Sequence, residues 1–163
     1  EPVASSLAIF NAGIQPHQRG IMMGEDRIAQ LTALVLRAKG FSNFDLYGQN
    51  SLHHTYDFGI DTLGTSASLE SLFDLLKPKG IIILKSRTRE PLSTSFIKAV
   101  QKELRIQGTY YGSFTEAIEL LYSHKLNPHD LFGHIHPLED FEKAFAASAE
   151  TKQFFSLVES CVD

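Results

Sequence analysis

The residues best placed to do chemistry in this chain form a turn, Gly24-Glu25-Asp26-Arg27-Ile28-Ala29. The turn lies between a short apolar strand at Ile21–Met23 and an amphipathic helix. A strand, a glycine turn and a helix in that order frame a dinucleotide-binding unit. The free N–H groups and positive dipole end of the helix meet a pyrophosphate there. Such a frame carries three glycines as G-x-G-x-x-G, and here those positions read Gly24, Asp26 and Ala29. Gly24 keeps the tight bend, and Ala29 still permits close helix–strand packing. Asp26 stands where the middle glycine lets the backbone approach the phosphates. Two like unit charges about 4 Å apart repel by about 4 kcal/mol at an effective dielectric near 20. Asp is also a good helix N-cap. Two outcomes follow. Either Asp26 caps the helix and fills the anion position with its own carboxylate, or Arg27 swings in, offsets the charge and lets a cofactor bind.

The end of the second strand reads Tyr47-Gly48-Gln49-Asn50. It offers neither the acid that holds ribose hydroxyls nor the cation that accepts a 2′-phosphate. The Gln49 or Asn50 amide is left to bond a ribose, or to serve only as a turn residue. Of the seven histidines, His53-His54 and His134-x-His136 are the pairs with metal-like proximity. No carboxylate or cysteine stands beside them at ligand spacing, so they read as surface residues. No G-x-S-x-G elbow exists for a serine hydrolase. Tyr122 and Lys125 are three apart and do not match a Y-x-x-x-K pair. No catalytic residue and no metal ligand set is assigned.

The elements that must position the turn alternate between short apolar runs and helical patterns, which predicts an α/β fold. Ile28, Leu31, Val35 and Ala38 share a face over 26–38, with Gly40 closing the helix. Phe44–Tyr47 and Tyr56–Thr62 read as strands, and Ser68–Leu76 as a helix with Leu69, Leu72, Phe73 and Leu76 inward. Ile81–Leu84, apolar throughout, belongs in the sheet centre. Phe96–Val100 reads as a helical turn, and Leu104–Gln107 alternates as a half-exposed strand near an edge. Thr115–Tyr122 reads as a helix carrying Ala117, Ile118 and Leu121. Another, over Leu138–Ala147 after Pro137, is expected to bury Leu138, Phe141, Ala144 and Phe145. Phe154–Val158 is a last apolar run, strand or helix.

The bulk numbers bound the function classes. The 163 residues suffice for one domain of ordinary size. A hydrophobic share of 43% and a charged share of 21% are those of a globular protein. A net charge of −4 leaves no basic surplus for a nucleic acid. The longest apolar run is far too short to span a bilayer, which argues against a membrane protein. One cysteine, Cys161, excludes an internal disulfide and fits a cytoplasmic setting. The opening Glu1-Pro2 reads as the start of a piece of a longer protein.

Four stretches together resemble the medium-chain dehydrogenase/reductase family, the relatives of zinc-type alcohol dehydrogenases. They are Glu1-Pro2-Val3-Ala4; GIMMGEDRIAQLTALVLRAKG; YDFGIDTLGTSASLESLFDLLKPKGIIILKS; and ELRIQGTYYGSFTEAIELLYSHKL with HPLEDFEKAF. The resemblance covers nearly the whole chain. It implies the cofactor-binding, Rossmann-like domain, a three-layer α/β/α fold with a mostly parallel sheet of about five to six strands. It implies NAD or NADP along the carboxyl ends of the strands, touching Gly24, Asp26, Arg27, Ile28, Gly48, Gln49, Gly64, Lys85 and Ser86. Gly64 matches the glycine that lets the cofactor pass close, and otherwise is a turn glycine. Lys85 is placed to meet a phosphate or a substrate carboxylate, or else is a solvated loop lysine. Zinc belongs to a catalytic domain of the same chain that these residues do not include. Glu1 matches a position near that metal and reads here as a solvated terminal residue. The family also pairs two copies through the last strand, so a homodimer through the Leu104–Gly108 edge is expected, with Tyr110-Tyr111 beside it.

The resemblance breaks most sharply between Gly48 and Tyr56. The family places a helix and a strand there, and this chain has only Gln49–Thr55. Seven residues cannot build a β-α-β crossover, which needs about a dozen. The expected sheet is therefore a smaller one of about five strands in the family order 2-1-4-5-6. Gln49–Thr55 is then a steep return loop, or else one strand reverses direction. Two functions remain open. One is the nucleotide domain of a zinc-type alcohol or polyol dehydrogenase-like oxidoreductase, not catalytic alone. The other is a decayed domain without NAD(P) that serves dimerisation or scaffolding.

Overall fold

A computed structural model describes residues 1–48, 51–131, 137 and 140–150. The chain separates into two compact units, 1–127 and 128–163. The first unit is built on five strands: β1 (Gly20–Met23), β2 (Phe44–Leu46), β3 (Tyr56–Asp61), β4 (Leu76–Leu84) and β5 (Arg105–Gly108). They lie in the order β2-β1-β3-β4-β5, and every pairing is parallel. With the missing strand removed, this is the order expected from the sequence.

Helices cover both faces. Alternation along each strand divides the apolar residues into two cores. On one face Met22, Phe58, Ile60, Ile81 and Ile83 meet Ala29, Ala33 and Leu36 of α2 (Arg27–Ala38), together with Ile9, Ala12 and Ile14. On the other, Ile21, Met23, Tyr56 and Ile82 meet Leu69, Leu72 and Phe73 of α3 (Ser66–Leu75), with Ala99 of α4 (Ile97–Gln101). Helix α1 (Pro2–Leu7) is buried from Val3 onward and continues into a 3-10 turn over Ala8–Ala12. Among the described residues no helix is long and apolar enough to cross a membrane.

The short β2–β3 connection is a return loop, and no strand reverses. Strand β2 has only three residues, so the descent to the start of β3 is short. Nine extended residues reach about 30 Å, which suffices without a helix. The loop is fastened at its lower end, where His54 N and Thr55 N donate to the carbonyls of Asp74 and Leu75 beside the end of α3. Gln49 and Asn50 lie outside the described residues.

The second half departs from expectation in detail. Helix α5 (Phe114–Tyr122) buries Ala117 and Leu120, while Ile118 (65% exposed) and Leu121 face outward. Apolar residues surround this helix on most sides, so period alone does not choose the inner face. In the second unit a 3-10 turn spans His129–Leu131, and α6 runs over Phe141–Glu150 rather than Leu138–Ala147. Its Phe141 and Phe145 are exposed rather than inward. His134, His136, Leu138, Phe154–Val158 and Cys161 fall outside the described residues.

Candidate functional site

The strand order reverses between β1 and β3, since the chain moves from β1 to β2 on one side and then to β3 on the other. A crevice at the carboxyl ends of strands on either side of such a point is where α/β sheets take ligands. Two turns meet there. Gly24 leaves β1 with φ +120°, a conformation that favours glycine. A Cβ on it would fall 2.2 Å from Thr62 Oγ1. That hydroxyl donates to Met23 O at 2.8 Å, which clamps the exit of β3 against the exit of β1. The tight bend expected at Gly24 is present, and the atom that approaches it closely belongs to the protein itself.

Asp26 caps α2. Its backbone is extended, and its Oδ1 accepts from Ala29 N at 2.8 Å. One of the N–H groups that a pyrophosphate would use is thus engaged by an internal carboxylate. Asp26 itself is exposed, whereas Arg27 and Ile28 are half-buried in the first turn of the helix. Ala29 is buried against the sheet, as a third glycine would be. Gly48 is exposed beyond β2 and donates its N–H to Ser51 Oγ at 3.0 Å, a turn bond. Gln49 lies outside the described residues.

Gly64 and Ser86 come together. Gly64 has φ +65°, and a Cβ there would fall 2.2 Å from Ser86 Oγ and 2.8 Å from Thr88 Cγ2. The space left by the missing side chain is filled by the loop that follows β4. Lys85 N and Ser86 N both donate to Asp61 O, at 2.8 and 3.2 Å, which carries the β3–β4 pairing up to this point.

Lys85 is neither a solvated loop lysine nor open to an anion. It is 7% exposed, and its Nζ donates to the carbonyl and, at 3.0 Å, to the hydroxyl of Ser5 in α1. Burial, with a smaller push from Arg87, lowers its pKa from 10.5 to about 8. Below about pH 8 the lysine is charged in both folded and unfolded chains, and the cost of burying the ammonium is present in full. Above 10.5 it is neutral in both, and that cost is gone. The folded state holds fewer protons in between, so stability rises with pH across that window. We expect urea unfolding at pH 10 to exceed that at pH 7.5 by up to about 3 kcal/mol, at about 1.4 kcal/mol per pKa unit. The gain should disappear in Lys85→Met.

Three features at or near the strand ends were not anticipated from sequence. Asp61 is fully buried, and its Oδ1 accepts from Leu63 N and Gly64 N at 3.0 and 3.1 Å. Its Oδ2 is buried without a partner. Burial pushes this carboxyl up, against the pull of the Gly64 N–H. A carboxylate closing an otherwise apolar strand was the available signal. On the α3 side of β2, Arg19 Nη2 and the Tyr56 hydroxyl both donate to Asp45 Oδ2, at 2.7 and 2.8 Å. The hydrogen bond from Arg19 holds the Asp45 carboxyl below the usual range. The acid on β2 is thus committed to structure rather than to a ribose. Glu1 is also engaged, because its carboxylate accepts from the Tyr111 hydroxyl.

Among the described residues no three His, Cys, Asp or Glu side chains gather as a metal requires. His53 and His54 are exposed on the return loop, with ring centroids 6.4 Å apart.

No family model matches the chain. In sequence it is similar to a putative D-xylulose reductase of Rhizobium meliloti, 26% identical over 185 residues, covering 93% of this chain and 54% of that protein. It is also similar to a probable D-xylulose reductase A of Emericella nidulans, 30% identical over 103 residues, covering 61% of this chain and 29% of that protein. The chain therefore spans at most about half the length of these relatives. The Rhizobium match runs over 185 positions and so includes gaps in this chain, which has 163 residues. In fold it resembles L-idonate 5-dehydrogenase of Escherichia coli, with a TM-score of 0.84 at 17% identity over 94% of this chain and 53% of that one. Acetophenone reductase of Geotrichum candidum, solved in complex with NAD, matches with a TM-score of 0.76 at 16% identity over 94% and 51%. The strand order and the fold neighbours show a Rossmann-like α/β fold, and the ordered motifs with the sequence relatives make the chain similar to the cofactor-domain region of medium-chain alcohol and polyol dehydrogenases, with a degenerate glycine motif.

Proposed function

We propose that this chain is the nucleotide-type domain of an alcohol or polyol dehydrogenase-like oxidoreductase whose pyrophosphate position is filled from within by Asp26. The bond from Ala29 N to the Asp26 carboxylate carries this reading. An anionic cap at the helix start takes the dipole and an N–H group that a diphosphate needs, and adds a like charge. The domain is not catalytic by itself. Its described residues gather no zinc ligand set, and the chain spans at most about half the length of the relatives it matches. Its role here is to fold and to pair.

The pairing surface is β5. Among the described residues it bonds to β4 alone, and its own residues are largely exposed. An open edge strand is a template for a second copy, and a two-fold axis there would join two sheets into one. Light scattering after size exclusion is expected to give a dimer at tens of micromolar, and a monomer would contradict the pairing.

A second reading keeps NAD or NADP as a working cofactor, with Arg27 offsetting Asp26. Its support is that Gly24 retains the bend and that a fold neighbour was solved with NAD. Titrating NADH and NADPH into the chain by fluorescence separates the two. Submillimolar binding of either would overturn the self-filled site, and silence at millimolar ligand would overturn the working cofactor.

A further inference from the structure

The segment from Lys85 to Ser93 crosses the exit of β3 and is fastened at several points. At its start, Lys85 Nζ donates to Ser5 O and Oγ in α1. Next, Ser86 and Thr88 fill the space above Gly64, and Thr88 N donates to Ser86 Oγ at 3.1 Å. At its far end, Ser93 N donates to Ser66 Oγ in the first turn of α3 at 2.9 Å. Between these points the exposed Arg87 guanidinium lies over two rings that follow β5, 4.4 Å from the Tyr110 centroid and 5.3 Å from that of Tyr111. The two rings themselves meet edge to face at 4.3 Å, and Tyr111 donates its hydroxyl to Glu1.

A loop with this many ties runs over the turn where one wall of the crevice must open. A diphosphate bound at the switch point needs the exits of both β1 and β3. Asp26 engages the first, and this loop lies on the second at Gly64. The ties differ in kind. Lys85 and Ser93 hold the two ends, whereas the exposed Arg87 is held by stacking on the two rings that follow β5 and by a side-chain hydrogen bond with Tyr111, contacts of modest strength in water.

We propose that Lys85–Ser93 is a strap holding the β3 side of the crevice shut, with Arg87 as its latch, so that a diphosphate-bearing nucleotide enters only when Arg87 leaves Tyr110 and Tyr111. The inference rests on the reading of the crevice as a nucleotide site. It adds a second block to it, independent of Asp26. With Asp26 removed the strap still lowers the apparent affinity by the fraction of molecules in which it is closed.

The test uses Arg87→Ala, whose side chain is exposed and whose loss leaves both cores intact. Amide hydrogen exchange is followed in the whole chain, and NADH is titrated into Asp26→Gly and into Asp26→Gly with Arg87→Ala. Thr88 and Ser93 amides are expected to exchange at least tenfold faster without Arg87, while Ile60 in β3 is unchanged. The double variant is expected to bind NADH at least fivefold more tightly than Asp26→Gly alone. Unchanged exchange at Thr88 and Ser93 overturns the strap. So does NADH binding to Asp26→Gly that Arg87→Ala leaves as it was. No NADH binding to either variant contradicts the nucleotide reading of the crevice and the gate with it.

Discussion

Phe58→Ala is expected to destabilise the first unit by about 3–5 kcal/mol, the range for deleting a buried Phe. Phe58 is fully buried at the centre of β3, and its ring occupies a notch that only Gly20 on β1 leaves open. A Cβ on Gly20 would fall 2.2 Å from that ring. On its other side Phe58 meets Phe41 edge-on at 6.0 Å, and Phe41 meets Phe10 at 5.5 Å. One ring thus joins β1, the exit of α2 and the 3-10 turn after α1. Truncation leaves a cavity whose walls are backbone on one side, so little collapse is available to fill it. Against a typical total of about 5–15 kcal/mol, the loss removes a large part of the stability. A urea midpoint well below that of the parent chain, with unchanged slope, is the expected observation.

The second large effect is at Lys102. Helix α3 ends without a glycine and passes directly into β4, so its last carbonyls take partners from outside it: His54 N and Thr55 N serve Asp74 O and Leu75 O, and a further donor is present. Lys102, just after α4, supplies it: Nζ donates to Phe73 O, to Leu76 O at 2.8 Å and to Asp74 O at 3.1 Å. The ammonium caps the negative end of the helix dipole as well. Burial lowers its pKa, partly offset by Asp74, yet three carbonyl acceptors favour the charged form. Lys102→Met keeps most of the stem and removes the donors. It should cost about 1.5–3 kcal/mol, the range for bonds to a charged donor, read by the same urea titration. Lys102→Arg should recover part of the loss, because a guanidinium is a poorer fit to carbonyls converging on one point.

Much of the frame was legible in the chain. The apolar run Ile81–Leu84 is a buried strand because nothing polar interrupts it, and Gly24 with Asp26 marks a strand exit and a helix cap. The seven residues between Gly48 and Tyr56 exclude a crossover and so point to about five strands, whereas the order of those strands came only from the family resemblance. The site was legible only in part. Asp26 declares itself because capping is a local act between neighbours. Lys85 does not, because its burial depends on Ser5, eighty positions away in α1. Gly64 was read as room for a ligand, and the occupant of that room, Ser86, comes from a separate strand exit. Asp45 was passed over because Arg19 and Tyr56 reach it only once the sheet is assembled. Local chemistry was readable, and chemistry made by contacts between distant segments was not. Helix α5 shows the same limit, since a helix apolar on most sides does not announce its inner face.

The central claim is that Asp26 fills the anion position at the start of α2. Replacing it by glycine costs only a few tenths of a kcal/mol of capping and restores the backbone approach that a diphosphate requires. Calorimetric titration of NADH into the parent chain and into Asp26→Gly tests this most directly. No binding heat is expected from the parent chain at millimolar NADH, and submillimolar binding is expected from Asp26→Gly. Submillimolar binding by the parent chain, unimproved by the substitution, would contradict the claim.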